Sequence, residues 1–227
     1  MPALRGLVPA VTAQSRARLL DEAERLFLAQ GYDRVSVRAV NAAAGMNPAA
    51  VHYHFGSKRD LVVALLQQRL GPLWAEPLAD LERARAAGWT PTIGEVVTII
   101  VEPFDRLARE PNGPMLLQLL ARTVLSGHEL PWDDPWFRHA PWRGLLAAAR
   151  PDLSAREVSD RWRLAFDLLL QLYGQPVADA FVPPPAAAAV VGFVTAGLDA
   201  PRPADVSPAD PCTPGPSRTA RTERGAS

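Results

Sequence analysis

The chain carries one cysteine, one lysine, no long apolar run and no excess of charge of either sign. The single Cys212 sits in a polar stretch, which excludes a disulfide framework or a cysteine-built metal site within one chain. No uninterrupted apolar run is long enough to span a bilayer, and the N-terminus shows no signal-peptide core. No membrane partner is therefore expected, and the expected location is cytoplasmic. With 24 basic and 24 acidic residues the formal net charge is zero, so the molecule as a whole is no electrostatic glue for nucleic acid. Strand-like alternation is missing, as is any internal repeat. A nucleophile elbow, a phosphate-binding glycine loop and an HExxH pair are also missing, which argues against an enzyme. Only His128 and His139, near Glu129, Asp133 and Asp134 in a tryptophan-rich loop, offer a place for acid–base or metal chemistry. No cofactor and no bound metal are expected.

What is present reads as helix. At 227 residues, 48% hydrophobic and 21% charged, the chain can bury a real core. From about Ala13 to Gln30, Leu19, Leu20, Ala23, Leu26 and Phe27 form one apolar stripe, with Thr12 as cap and Gly31 as stop. Ser36 caps a second helix whose Val37, Val40 and Ala44 share a face, and Gly45 permits a tight turn. Asn47 caps a third helix, with Pro48 at its first position. Ser57, with Asp60 three residues on, opens a fourth helix expected to break at Gly71-Pro72 and to bend at Pro77 if it continues. Further helices follow over Ile93 to Arg109, from Pro114, from Ser154, and after Pro185, while 127–142 reads as an aromatic loop. The expected fold is all-α. A flexible arm (1–12) precedes a three-helix helix-turn-helix unit (13–56), a larger helical body (57–199) and a disordered Pro-rich tail (200–227).

Residues 45–55, GMNPAAVHYHF, followed by Gly56-Ser57-Lys58 and Leu61, resemble the DNA-binding signature of the TetR/AcrR family of bacterial regulators. The chain departs from the pattern at His52, where members often carry tyrosine. The resemblance implies a homodimeric transcriptional regulator, more often a repressor. It implies two reading heads on palindromic double-stranded DNA, a connecting helix that moves them, and a body cavity for a small-molecule effector.

The residues facing DNA follow from the helix-turn-helix geometry, in which the start of the second helix approaches base edges. Here that start offers Asn47, Ala49 and Ala50, and the two alanines supply only methyl contacts to thymine. Polar readout then falls to Arg38 and His52, with Asn47 assisting; for Arg38, a guanine and a phosphate stand level. The resemblance assigns Tyr53, His54 and Lys58 to a phosphate clamp. Ser36 can hold a phosphate at the amino end of its helix. Lys58 is the only lysine, a compact ammonium beside a helix start. His52 and His54, two apart on a helix, point to separate faces and do not suit a metal. Arg5 and the tail residues Arg218, Arg221 and Arg224 offer nonspecific attraction.

For the effector, Phe104, Met115, Leu119, Trp132, Trp136, Phe137, Trp142, Trp162 and Phe166 are the expected lining of a lipophilic cavity, with plain core as the alternative for each. The wording of 47–55, with Leu70-Gly71-Pro72-Leu73, is similar to a branch of the family that includes fatty-acid-responsive repressors, which implies an acyl-type ligand. The last two helices, about 155–173 and 185–198, look like the family's dimer-forming pair, with Ala188, Ala189, Gly192 and Ala196 permitting close approach. A helical interaction module without DNA binding is the alternative from another class.

Overall fold

The computed structural model describes residues 7–175 and 184–202. Residues 1–6 of the expected arm, and 203–227 of the expected tail with Cys212 and its arginines, lie outside the described residues. Among the described residues all regular structure is helical, a helix-turn-helix domain followed by a larger helical domain.

The first helix, α1 (Leu7–Gln30), begins six residues before the expected start, so Thr12 lies inside it. Pro9 does not oppose this, because the first-turn N–H groups of a helix have no intrahelical partner. Its Leu19, Leu20, Ala23, Leu26 and Phe27 are buried, as the stripe required. Next come α2 (Val37–Ala43) and α3 (Ala50–Phe55), with Gly45 between them at φ +65°, a left-handed conformation that Cβ-bearing residues resist.

The fourth helix, α4 (Lys58–Ala86), runs unbroken through Pro72 and Pro77, which corrects the expected break. Each proline removes one backbone bond, but Leu70, Leu78 and Leu81 are buried on either side and hold both halves to the body. Its first turns pack on α1 and α3 and its later turns on the body helices α5 (Ile93–Leu107) and α6 (Gly113–Leu125), so one apolar core continues from head to body. Capping boxes at Thr92–Glu95 and Ser154–Glu157 start α5 and α8 (Ala155–Tyr173).

Between α6 and α8 the chain departs from the loop reading. A single 3-10 turn (Pro135–Phe137) leads into α7 (His139–Ala149), whose Trp142, Leu145 and Leu146 are buried, with α8 among the elements it packs on. Pro141 sits in the first turn of α7, where its missing N–H costs nothing. The last described helix, α9 (Ala187–Asp199), lies mainly along α5 and also touches α8. At Gly174, just past α8, an added Cβ would stand 2.2 Å from the Ala121 side chain; only a bare α-carbon lets α8 end that close to α6.

Candidate DNA-reading surface and body cavity

The turn between α2 and α3 is closed by a side chain on α2. Asn41 is 1% exposed, donates from Nδ2 to the Pro48 carbonyl at 2.5 Å, and accepts the Val51 N–H at 3.0 Å. One amide thus satisfies a carbonyl and an N–H that α3's short length leaves without helical partners. The Asn47 carboxamide accepts the Ala49 N–H at 2.9 Å, and the Ser36 hydroxyl accepts the Ala39 N–H at 3.1 Å. The Ser36 cap forms as its residue type implied, whereas α3 starts at Ala50 with Ala49 at its N-cap and no side-chain cap, so Asn47 and Pro48 stand in the turn before the helix rather than at its cap and first position.

This frame leaves an open groove lined by Ser36, Val37, Arg38, Asn47, Pro48, Ala49 and His52. Arg38, Asn47, Ala49 and His52 are exposed there, and Ala50 is half-buried beside them. His52 Nδ1 lies 2.8 Å from the Gly56 carbonyl oxygen, which fixes the ring on the outer face of α3 and requires the proton to be on that nitrogen. Tyr53 is 80% exposed, with its ring edge-to-face on half-buried His54 at 5.1 Å. Phe55 is half-buried and carries the Arg16 guanidinium over its ring at 5.1 Å.

Lys58 does not join that surface. Its Nζ donates to the Tyr32 carbonyl at 2.7 Å and stands 3.8 Å from the centre of the Tyr32 ring. Burial lowers its pKa against the opposing pull of Asp33, with Arg122 adding to the lowering. The ammonium thus ties the start of α4 to the loop after α1. Around it, Arg69 of α4 binds Glu24 and Asp21 of α1, each at 2.7 Å. Arg122 of α6 holds Asp33 at 2.6 and 3.0 Å with its guanidinium 4.8 Å from the Tyr32 ring centre.

The body encloses a cavity of about 260 Å³. Seven of the nine expected lining residues meet there: Phe104, Trp132, Trp136, Phe137, Trp142, Trp162 and Phe166. Met115 and Leu119 do not; they lie on another side of α6, in a hollow against Phe27 and Tyr32 of the head. Sequence reasoning missed Trp74 and Glu82, on the far side of the supposed break in α4, and set His139 in the tryptophan-rich loop without counting it in the cavity lining. Trp162 donates its indole N–H to His139 Nδ1 at 3.0 Å, so that nitrogen must carry a lone pair. Burial, and then Arg143, lower the pKa of His139, while Asp167 opposes. His128 sits apart, 3.1 Å from the Ser126 hydroxyl, and among the described residues no cluster of His, Cys, Asp and Glu could hold a metal ion.

Opposite the cavity, α8 and α9 show an uncovered apolar face. Leu164 and Leu168, one turn apart on α8, are 66% and 40% exposed, and Phe193 on α9 is 71% exposed. Ala188, Ala189, Gly192 and Ala196 are exposed on α9, while Val190, Val194 and Leu198 are buried. No described helix is long and apolar enough to cross a membrane.

A family model described as "Bacterial regulatory proteins, tetR family" matches residues 19–65. The HTH-type transcriptional regulator BetI of Rhizobium meliloti is 35% identical over 69 residues, 30% of this chain and 34% of that protein. The HTH-type transcriptional repressor Rv1474c of Mycobacterium tuberculosis is 39% identical over 99 residues, 42% of this chain and 47% of that protein. The chain thus matches these relatives over a third to a half of their length. Among solved structures, fatty acid degradation regulator FadR from Bacillus halodurans superposes with a TM-score of 0.54 at 18% identity, over 81% of this chain and 96% of that one. NalD from Pseudomonas aeruginosa gives 0.51 at 19%, over 82% and 96%. At such identities the likeness concerns the fold.

Proposed function

We propose that this chain, whose residues 19–65 match the tetR family of bacterial regulatory proteins, is a homodimeric, DNA-binding transcriptional repressor that a small lipophilic molecule releases from a palindromic operator. The observation that carries the reading is the open groove at the start of α3, where polar Arg38, Asn47 and His52 surround the bare edge of Ala49. Those side chains have no core to fill and sit where a recognition helix meets base edges. Arg38 is the base reader, Ala49 and Ala50 accept a thymine methyl, and Ser36, Tyr53 and His54 hold the flanking phosphates.

The head is residues 13–56 and the regulatory body 57–199. The exposed Leu164, Leu168 and Phe193 are the centre of the dimer contact, since a two-fold partner covers the same patch on both copies. Coupling runs through α6. Leu120 and Val124 line the body cavity, while Arg122 on the same helix grips Asp33 beside the reading head. A ligand that favours one position of α6 therefore biases the head.

The test is selection of bound duplexes from a random pool, sequenced at two salt concentrations. Enrichment of an inverted repeat with half-sites one helical turn apart, about 34–36 Å, is the expected result. Retention without a motif at either salt refutes a sequence-reading dimer.

A further inference from the structure

We infer that the body cavity takes a small lipophilic organic cation, its apolar part against near-parallel aromatic rings and its ammonium at the rim beside Glu82. This rests on reading that cavity as the effector site.

Three of the indoles have spent their N–H groups within the protein. Trp136 Nε1 donates to Glu82 at 3.2 Å, Trp142 Nε1 to the Trp136 carbonyl at 2.8 Å, and Trp162 Nε1 to His139. These three indoles thus have no N–H left for a guest, only π surface. Trp142 and Trp162 lie 5.8 Å apart and 5° from parallel, and Phe166 continues the row at 5.8 Å and 15°. The face of an aromatic ring is its negative region, so a guest that lies against one of these rings is favoured as a cation over a neutral body of the same shape.

The lining charge has the same sign. Glu82 and Asp134 contribute two carboxylates, and Arg138 one guanidinium, a net charge of −1 with His139 neutral. The guanidinium donates one N–H to the Trp132 carbonyl at 2.5 Å, and Trp136 donates its indole N–H to Glu82 and its backbone N–H to Asp134. A carboxylate guest would meet like charges at the rim, which argues against the acyl-type ligand implied by the sequence. At about 260 Å³ the cavity lies near the lower end of ligand pockets, roughly 300–1,000 Å³, so the guest is small.

The experiment titrates the purified full-length chain, by calorimetry, with three probes of similar size: benzyltrimethylammonium, its uncharged carbon isostere neopentylbenzene, and the anion 3-phenylpropionate. The cation is expected to bind about tenfold more tightly than the isostere, and the anion most weakly. Glu82→Gln is expected to weaken the cation about fivefold and leave the isostere unchanged. Equal binding of cation and isostere, tighter binding of the anion, or no binding of any probe overturns the inference. A parallel operator-release assay separates the two readings. Binding of the cation without release of DNA keeps the ligand class and refutes the effector role, whereas release by the isostere or the anion alone does the reverse.

Discussion

Replacing Asn41 by alanine removes two hydrogen bonds, leaving the Val51 N–H unpaired in the core and the part-buried Pro48 carbonyl without its partner. The buried orphan costs about 1–3 kcal/mol and the lost part-buried bond about 1 more, so the head loses roughly 2–4 kcal/mol. Against a typical domain stability of about 5–15 kcal/mol that is a large share. With a urea m-value of about 2 kcal/mol per molar, the midpoint for unfolding the head falls by about 1–2 M. The chain supplies its own assay, because all six tryptophans lie at or beyond Trp74 and none is in the head. Tryptophan emission therefore follows the body and far-ultraviolet dichroism the whole, and in Asn41→Ala the two transitions separate, the dichroism moving first. Asn41→Asp keeps an acceptor for Val51 but sets a carboxylate against the Pro48 carbonyl. That raises its folded pKa, so its destabilisation is present above that value and is relieved as pH falls through it. Coincident transitions at the wild-type midpoint in Asn41→Ala would refute the claim that this side chain closes the turn.

Three further outcomes are expected. Lys58→Ala lowers the melting temperature of the head and leaves the slope of DNA affinity against salt unchanged, because its ammonium faces Tyr32; Arg38→Ala costs about 1–3 kcal/mol of binding and relaxes the base preference at one position of the selected half-site. Phe193→Arg on the uncovered face of α9 removes about 2 kcal/mol of burial from each copy, and by two-fold symmetry raises the dimer dissociation constant about a thousandfold in analytical ultracentrifugation. His139, facing Arg143 on α7 and Asp167 on α8, with Arg138, Glu82 and Asp134 around the same cavity, has a folded pKa below its ordinary 6.5. The unfolded chain thus binds the extra proton first, and this contribution to stability falls as pH drops below about 6.5. His139→Gln flattens that pH dependence in thermal melts.

Much of the frame was legible because caps are local chemistry. Ser36, Ser57, Thr92 and Ser154 each accept an N–H three residues on, which a sequence displays without knowledge of the fold. Helix α7 was not legible. Pro141 and Gly144 punctuate it, and packing of Trp142, Leu145 and Leu146 decides the matter. The continuity of α4 was hidden for the same reason, since burial on both sides of two prolines outweighs the lost backbone bonds. In the site, the family resemblance implied a cavity and the aromatic residues offered most of its lining, yet Met115 and Leu119 share α6 with Leu120 and Val124 and face a different neighbour. Which side of a helix apolar nearly all round meets the hollow is set by its neighbours. Asn41 carries no local mark of its role, because its partners lie seven and ten residues away. The lone lysine marked a position worth watching, but the direction of a long side chain is a tertiary fact.

That lysine has a practical consequence. Lys58 is the only side-chain amine in the chain, it stands at the junction of head and body, and it is folded in against Tyr32. A lysine-specific protease or an amine-directed label therefore finds one side-chain address, half-buried and tied to Tyr32 while the head keeps its packing. Each cut or label at that address records an opening of the head. The rate of modification reads the head's local unfolding equilibrium, and doing so with and without operator DNA or a cavity ligand shows whether either guest holds that joint shut.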